Sequence, residues 1–262
     1  MITVKQIAKK TMTEQKRASA KNDFFAFYIG RPLSYVLTIP FLYTKMSPNM
    51  ISLLSILPLL AGFVCMCIGG TGCFIAGWVC FFAWNLLDGV DGNIARYKDL
   101  QSPLGSVYDA MSGYIAMMFT YFAWGIAAFR SPGLVADKLW IDPEYFIIIG
   151  ALSGFFAIFP RFMMHKMIST VGHTDNADAI KDKSKYGPLK IIFLNLISIS
   201  GFVQVFMLLA IIFNWFDVFT IAYCVLNFLV MVASITKMFM QPKKKNTPEK
   251  AEKPTETAVE EQ

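Results

Sequence analysis

Charged side chains are scarce in this chain, and their scarcity excludes most soluble folds. Only 16% of the 262 residues are charged and 55% are hydrophobic, whereas soluble domains average roughly 25% and 45–50%. A single core in a chain of this size cannot bury that much apolar surface away from water. A lipid bilayer must therefore cover the remainder, and we predict an all-α integral membrane protein.

Histidine and cysteine are also few, with two and five residues respectively. All five cysteines lie in apolar stretches without a neighbouring histidine, so small apolar positions of membrane helices explain them better than a metal site or a disulfide framework. The N-terminal segment (1–22) is polar and rich in lysine, and we therefore expect no cleavable signal peptide.

Long apolar runs are abundant instead. A helix that crosses a bilayer needs about 20 mostly apolar residues. Six stretches meet this length, at residues 49–69, 72–95, 104–129, 143–169, 189–213 and 216–240. A further apolar stretch at 24–43 contains Arg31, Pro32 and Pro40, and proline removes a helical hydrogen bond. We interpret it as one or two short helices that lie along the membrane interface.

These features divide the chain into four parts. The polar segment (1–22) precedes the interfacial segment (23–46), and a six-helix transmembrane domain follows at 47–240. The final part, 241–262, combines Lys, Glu, Thr and Pro with almost no apolar content. We expect this tail to be disordered and cytoplasmic, and we expect similar behaviour of the polar N-terminal segment.

The positions of the basic residues predict the orientation. With six crossings, 22 of the 24 Lys and Arg residues lie on one side of the membrane together with both termini. Basic residues are enriched on the cytoplasmic side, so both termini are predicted to be cytoplasmic. A seventh crossing at 24–43 would place the basic side chains of the N-terminal segment on the opposite side. The net charge of +6 therefore reflects topology, and we expect no nucleic-acid partner.

Three aspartates interrupt the second and third apolar runs. Asp88 and Asp91 are three residues apart and share one helix face, and Asp109 lies near the start of the next run. The short loop between the runs makes the two helices antiparallel, so the three carboxylates converge just inside the cytoplasmic boundary. Carboxylates at such a depth are costly and therefore functional candidates. Oxygen ligands favour Mg²⁺, Mn²⁺ or Ca²⁺, and two such ions suit phosphoryl chemistry.

The aspartates belong to a longer pattern of fixed spacing. It reads Asp88-x₂-Asp91-Gly92-x₂-Ala95-Arg96-x₈-Gly105-x₃-Asp109-x₃-Gly113. This pattern closely resembles the signature of the CDP-alcohol phosphatidyltransferase family, which has a fourth aspartate where this chain has Gly113. The resemblance extends more loosely over residues 45–240.

The resemblance implies a function for each position of the pattern. Asp88, Asp91 and Asp109 would ligate two divalent ions, Mg²⁺ or Mn²⁺, that hold the pyrophosphate of a CDP-linked donor. The small residues would leave room for cytidine and ribose, and Arg96 would neutralise phosphate charge. These small residues are Gly92, Ala95 and Gly105. Glycines beside the carboxylates also admit a second interpretation, because small residues allow tight helix packing in membranes.

The resemblance also implies an enzyme of phospholipid synthesis. It would transfer a phosphatidyl or phospho-alcohol group from a CDP-linked donor to a hydroxyl acceptor with release of CMP, and it would form a homodimer. We favour CDP-diacylglycerol as donor and a phosphorylated polar acceptor, because Arg31 and Arg161 could hold a phosphate. A bacterial inner or plasma membrane is favoured over the endoplasmic reticulum.

Gly113 is a departure that leaves the catalytic residue unassigned. In the family the fourth aspartate is regarded as the base that deprotonates the acceptor hydroxyl, and glycine cannot do this. Another residue could replace it, the acceptor's own phosphate could take the proton, or the protein could be catalytically weak. An inactive relative that binds CDP-lipid or scaffolds other enzymes is therefore the alternative function. A transporter or cation channel is less consistent with the pattern, because its acids would be spread along a pathway through the bilayer.

Two further cationic positions accompany the pattern. Arg161 and His165 lie one helical turn apart at the cytoplasmic end of the fourth run, where they could bind an anionic acceptor group or anchor the helix at the interface. Arg31, on the interfacial segment, could reach the same cavity.

Overall fold

The computed structural model describes residues 2–171 and 187–239, and all regular elements in that part of the chain are helical. In order they are α1 (Val4–Thr11), α2 (Glu14–Ala20), a π-helical turn (Ala26–Gly30), α3 (Arg31–Leu42), α4 (Pro48–Ile68), α5 (Thr71–Tyr97), α6 (Pro103–Arg130), α7 (Leu134–Leu139), α8 (Glu144–Val171), α9 (Pro188–Leu196), α10 (Phe202–Phe213) and α11 (Phe216–Phe239). The all-α prediction is confirmed. The tail predicted at 241–262 lies outside the described residues.

Five of the described helices are long and apolar enough to cross a membrane, namely α4, α5, α6, α8 and α11. Local sequence explains where they begin. Ser47 and Ser102 cap α4 and α6 by accepting hydrogen bonds from Met50 and Gly105, and a proline follows each serine at the first helical position. Gly69 and Gly70 form the turn between α4 and α5 with φ of 83° and 86°, a region that favours glycine.

The predicted span at 189–213 differs from expectation, because it is divided into α9 and α10. Residues 197–201 interrupt it with the sequence Ile-Ser-Ile-Ser-Gly. The Gly201 amide donates to the Ser198 carbonyl at 2.9 Å, and a Cβ at Gly201 would lie only 2.8 Å from that of Ser198. The Tyr223 hydroxyl donates to the Leu196 carbonyl at the end of α9. The apolar run is therefore a broken helix, and the number of six crossings stays a prediction.

The polar N-terminal segment is ordered over α1 and α2, in contrast to our expectation. Thr3 and Gln6 form a capping box at the start of α1. Ile7 is fully buried in a cluster with Val90 and Ile94 of α5. Composition suggested a disordered segment because most of its residues are polar. The burial of Ile7 is nevertheless enough to place α1 against α5. The interfacial segment is helical as predicted, in the π-helical turn and α3.

Small residues bring the long helices together. A Cβ at Gly62 of α4 would lie 3.0 Å from the Gly77 carbonyl of α5, and one at Gly125 of α6 would lie 2.2 Å from the Phe146 carbonyl of α8. Such approaches exclude any larger side chain at these positions. Trp124 fills the main apolar core beside them and is fully buried. This packing fixes α5, α6 and α8 around one site.

Candidate metal centre and substrate cavity

The structure brings the three aspartates together. Asp88 and Asp91 extend from α5 and Asp109 from α6, and one carboxylate oxygen of each lies within 4.8 Å of the others. Their exposure differs: Asp91 is buried, Asp88 is half-buried and Asp109 is exposed. The cluster is therefore accessible from the side of Asp109 and enclosed at Asp91. Convergence of these side chains is the arrangement that helix geometry predicts, whereas their role as metal ligands stays a prediction.

Asp91 is held by a neighbour from a third helix. The Ser52 hydroxyl of α4 donates a hydrogen bond to the Asp91 carboxylate. Only 3% of each residue is exposed. A buried carboxylate needs such a donor, because its loss of hydration is otherwise uncompensated. Ser52 thereby fixes the direction in which the second carboxylate oxygen can point.

The donor set fits a divalent cation. The three carboxylates supply only oxygen ligands, which Mg²⁺ and Mn²⁺ prefer. Among the described residues, the cluster contains no histidine or cysteine that would favour zinc. Three negative charges this close repel one another unless a cation offsets them. The cluster thus has the right chemistry for the ions that the sequence suggests.

The glycines of the pattern have separate surroundings. A Cβ at Gly92 would lie 3.0 Å from an Arg96 guanidinium nitrogen, so the missing side chain leaves space for that group. Gly89 is not a specified position of the pattern, and a Cβ there would lie 2.8 Å from Ser34 of α3, which makes it a packing residue. Gly105 lies at the start of α6, where its amide donates to the Ser102 hydroxyl that caps the helix. Ala95, the remaining small residue of the pattern, is half-buried and precedes Arg96 in α5.

Arg96 and Arg31 place two guanidinium groups near each other. The Nε atoms of both are buried without a hydrogen-bond partner in the described structure, although Arg96 donates to Asn93 through Nη2. Arg96 also interacts electrostatically with Asp91 and Asp109. The pKa of Lys16 on α2 is lowered to about 8, first because its amine is shielded from water and then by repulsion from the two arginines. Positive charge is therefore concentrated beside the aspartates.

A cavity of about 360 Å³, hereafter the aspartate cavity, lies between α5, α6, α8 and the 198–200 break. The lining groups that bear on its chemistry are Asp88, Asp109, Gly113, Tyr114, Arg161 and His165. Arg161 interacts electrostatically with Asp88 and Asp109. Gly113 leaves an opening, because the nearest atom that a Cβ would meet is Arg161 Nη1, at 3.9 Å. Arg161 and His165 thus line the same cavity as Asp88 and Asp109, and their binding of an anionic acceptor group stays a prediction.

Arg31 lines a different cavity of about 690 Å³, together with Lys5, Lys9 and Arg17 of the N-terminal helices. The packing of α1 and α2 forms this cavity, and it could not be anticipated while these residues were expected to be disordered. A role for Arg31 in substrate binding stays a prediction.

Two residues of the site were missed from the sequence. Ser52 had no visible signal, because serine is common in membrane helices and its partner is 39 residues away. Tyr114 was unassigned although it follows Gly113 directly. Its hydroxyl lies 2.6 Å from Nδ1 of His165. Spacing alone cannot reveal such pairs, since they depend on which helices are neighbours.

Comparison with known proteins agrees with this geometry. The family model described as CDP-alcohol phosphatidyltransferase matches residues 45–239, which include all three aspartates and the helices that line the aspartate cavity. No curated protein matches the chain.

Proposed function

Since the chain belongs to the CDP-alcohol phosphatidyltransferase family, we propose that it transfers a phosphatidyl or phospho-alcohol group from a CDP-linked donor to a hydroxyl acceptor and releases CMP. The observation that carries this proposal is the convergence of three carboxylates beside a cavity that also contains cationic side chains. Phosphoryl transfer requires this combination, because catalysis depends mainly on positioning and on charge stabilisation.

Asp88, Asp91 and Asp109 would hold one or two divalent ions, Mg²⁺ or Mn²⁺. Bound there, the ions would offset the charge of the donor's pyrophosphate. Ser52 keeps the buried Asp91 oriented for this task. Arg96 would contact a donor phosphate. Its Nε is buried without a partner in the described structure, and it interacts with the charges of Asp91 and Asp109.

We assign the acceptor to the aspartate cavity, which Arg161 of α8 lines. The planar fork of its guanidinium can bind phosphate in two places. We therefore favour a phosphorylated polar acceptor, with CDP-diacylglycerol as the donor. In this arrangement the cavity faces the cytoplasm, the water-soluble acceptor enters from that side, and the product stays in the bilayer for phospholipid synthesis. Formation of a homodimer stays a prediction.

A second function has one observation in its favour. Gly113 supplies no carboxylate at the position where the family has its fourth aspartate. A catalytically inactive protein that binds a CDP-lipid or scaffolds other membrane enzymes would tolerate this loss. Such a protein would retain the cation site and the cavity.

The experiment is CMP release by purified protein. CDP-diacylglycerol, CDP-choline and CDP-ethanolamine are each offered with phosphorylated and unphosphorylated alcohols, with and without Mn²⁺. Asp88→Asn should abolish release because it removes a metal ligand. Asp99→Asn is the matched control, since Asp99 lies in the following loop with its side chain 76% exposed and pairs only with Lys10 at 3.2 Å in the described structure. If wild-type protein releases no CMP from any pair but still binds CDP, the second function stands instead.

A further inference from the structure

Gly113 raises the question of which group accepts the proton of the attacking hydroxyl. The side chains with acid–base chemistry that line the aspartate cavity are Asp88, Asp109, Tyr114, Arg161 and His165. The two aspartates belong to the cation site, and arginine stays protonated at any physiological pH. Tyrosine ordinarily titrates near 10 and histidine near 6.5. By elimination, the imidazole is the one group among these described lining residues suited to proton transfer at neutral pH.

The imidazole is also oriented. Nδ1 of His165 lies 2.6 Å from the Tyr114 hydroxyl, and the two rings lie 5.8 Å apart between centroids. Tyr114 extends from α6 and His165 from α8, so the contact bridges the helices that enclose the aspartate cavity. When Nδ1 carries the hydrogen and donates to the tyrosine oxygen, the lone pair is on Nε2. A neighbour that fixes the ring and its tautomer is a common feature of catalytic histidines.

The position of His165 also suits the function of the missing carboxylate. Tyr114 follows Gly113 in α6, and Arg161, one turn before His165 in α8, is the nearest group to the space at residue 113. His165 interacts electrostatically with Asp109, one helical turn before Gly113. The imidazole thus lines the same cavity as two of the carboxylates and the space at residue 113.

We propose that His165, positioned by Tyr114, is the general base that replaces the fourth aspartate of the family. This inference rests on the proposed transferase function. The acceptor oxygen forms a bond to the donor phosphorus that carries the alcohol, and the bond from that phosphorus to the bridging oxygen of CMP breaks. CMP leaves with the electron pair, and the hydroxyl proton passes to Nε2 of His165. Solvent then removes the proton after the product departs.

The test compares single and double substitutions. His165→Ala should lower kcat by about 10²–10⁴-fold, the usual contribution of general-base catalysis, while CDP binding in the presence of Mn²⁺ is retained. Lys166→Ala is the matched control, because Lys166 is the next residue of α8, is exposed and does not line the aspartate cavity. Tyr114→Phe should lower kcat by less than His165→Ala, since it removes the positioning contact alone.

Gly113→Asp provides the decisive readout. In the presence of His165 the new carboxylate should not raise kcat, because a base is already there. Combined with His165→Ala it should recover much of kcat, and the acidic limb of the pH–rate profile should shift to lower pH because a carboxylate then accepts the proton. A merely structural His165 would show neither the recovery nor the shift.

Three results would overturn the inference while the transferase function stands: a kcat of His165→Ala equal to that of Lys166→Ala, a large gain of kcat from Gly113→Asp alone, or no recovery in the double variant. The first would assign the proton to another acceptor such as the substrate's own phosphate. Absence of CMP release from the wild-type protein with every donor and acceptor would instead reject the proposed function, and this inference with it.

Discussion

Replacing Ser52 with alanine tests how strongly the cation site depends on one hydroxyl. Ser52 donates to the Asp91 carboxylate, and both residues are almost fully buried. Alanine removes the donor and leaves the carboxylate in place. A hydrogen bond to a charged group contributes about 1.5–3 kcal/mol, and loss of a group that orients a metal ligand typically costs about 10–100-fold in metal affinity. These two magnitudes agree, because each tenfold change in affinity corresponds to about 1.4 kcal/mol.

We therefore expect Ser52→Ala to raise the Mn²⁺ concentration that gives half-maximal CMP release by about 10–100-fold. A direct Mn²⁺ titration followed by electron paramagnetic resonance should show a matching loss of Mn²⁺ affinity. Ser55→Ala is the matched control. Ser55 is buried on the same helix, but its hydroxyl contacts the Ser52 carbonyl and the Ser112 hydroxyl, at 2.7 and 2.9 Å, and no carboxylate of the described residues. Equal Mn²⁺ affinities in the two variants, or an unchanged affinity in Ser52→Ala, would refute the assignment of Asp91 as a ligand held by Ser52.

Two further predictions concern stability. Gly125→Ala should lower the unfolding temperature in detergent, because its Cβ would lie 2.2 Å from the Phe146 carbonyl and overpacking costs about 1–3 kcal/mol. Gly72→Ala is the control and should not lower the unfolding temperature, because no atom lies within 4 Å of its Cβ in the described structure. A similar drop in unfolding temperature in both variants would contradict the close approach of α6 and α8. The Lys16 pKa of about 8, against an ordinary 10.5, means that the folded protein binds this proton less tightly than the unfolded chain, so stability should rise between these two pH values. Lys16→Met should be more stable than wild type below pH 8, and its stability should no longer rise between the two pH values. The control variant Lys45→Met should keep the rise in stability. A rise that persists in Lys16→Met would show that Lys16 is not its cause.

Residues close together along the chain were predictable. Asp88 and Asp91 share a helix face because the α-helix repeats every 3.6 residues. A short loop then returns the chain antiparallel, so Asp109 must lie at the same depth. The apolar runs likewise identified the long helices, since length and hydropathy are local properties of the chain. The break at 197–201 was not identified, because a stretch of Ile, Ser and Gly is apolar enough to pass as part of a span.

Contacts between distant helices were not predictable in the same way. The bonds from Ser52 to Asp91 and from Tyr114 to His165 join residues 39 and 51 positions apart. Periodicity gives the face on which each side chain lies but not the helix that the face meets, because that choice depends on side-chain packing along the whole interface. The same limit applies to Arg31, whose cavity is lined by α1, α2, the π-helical turn and α3.

The sequence by itself thus determined a helical membrane protein and the cluster of three aspartates, because each depends on composition or on spacing within a few helical turns. Only the tertiary structure decided that His165 lines the same cavity as Gly113 with Tyr114 against its ring, that Ser52 holds Asp91, and that Arg31 lines another cavity. The physical reason is that helix formation is governed by local hydrogen bonds, whereas the neighbours of each helix are selected by close packing of small and large side chains across the bundle.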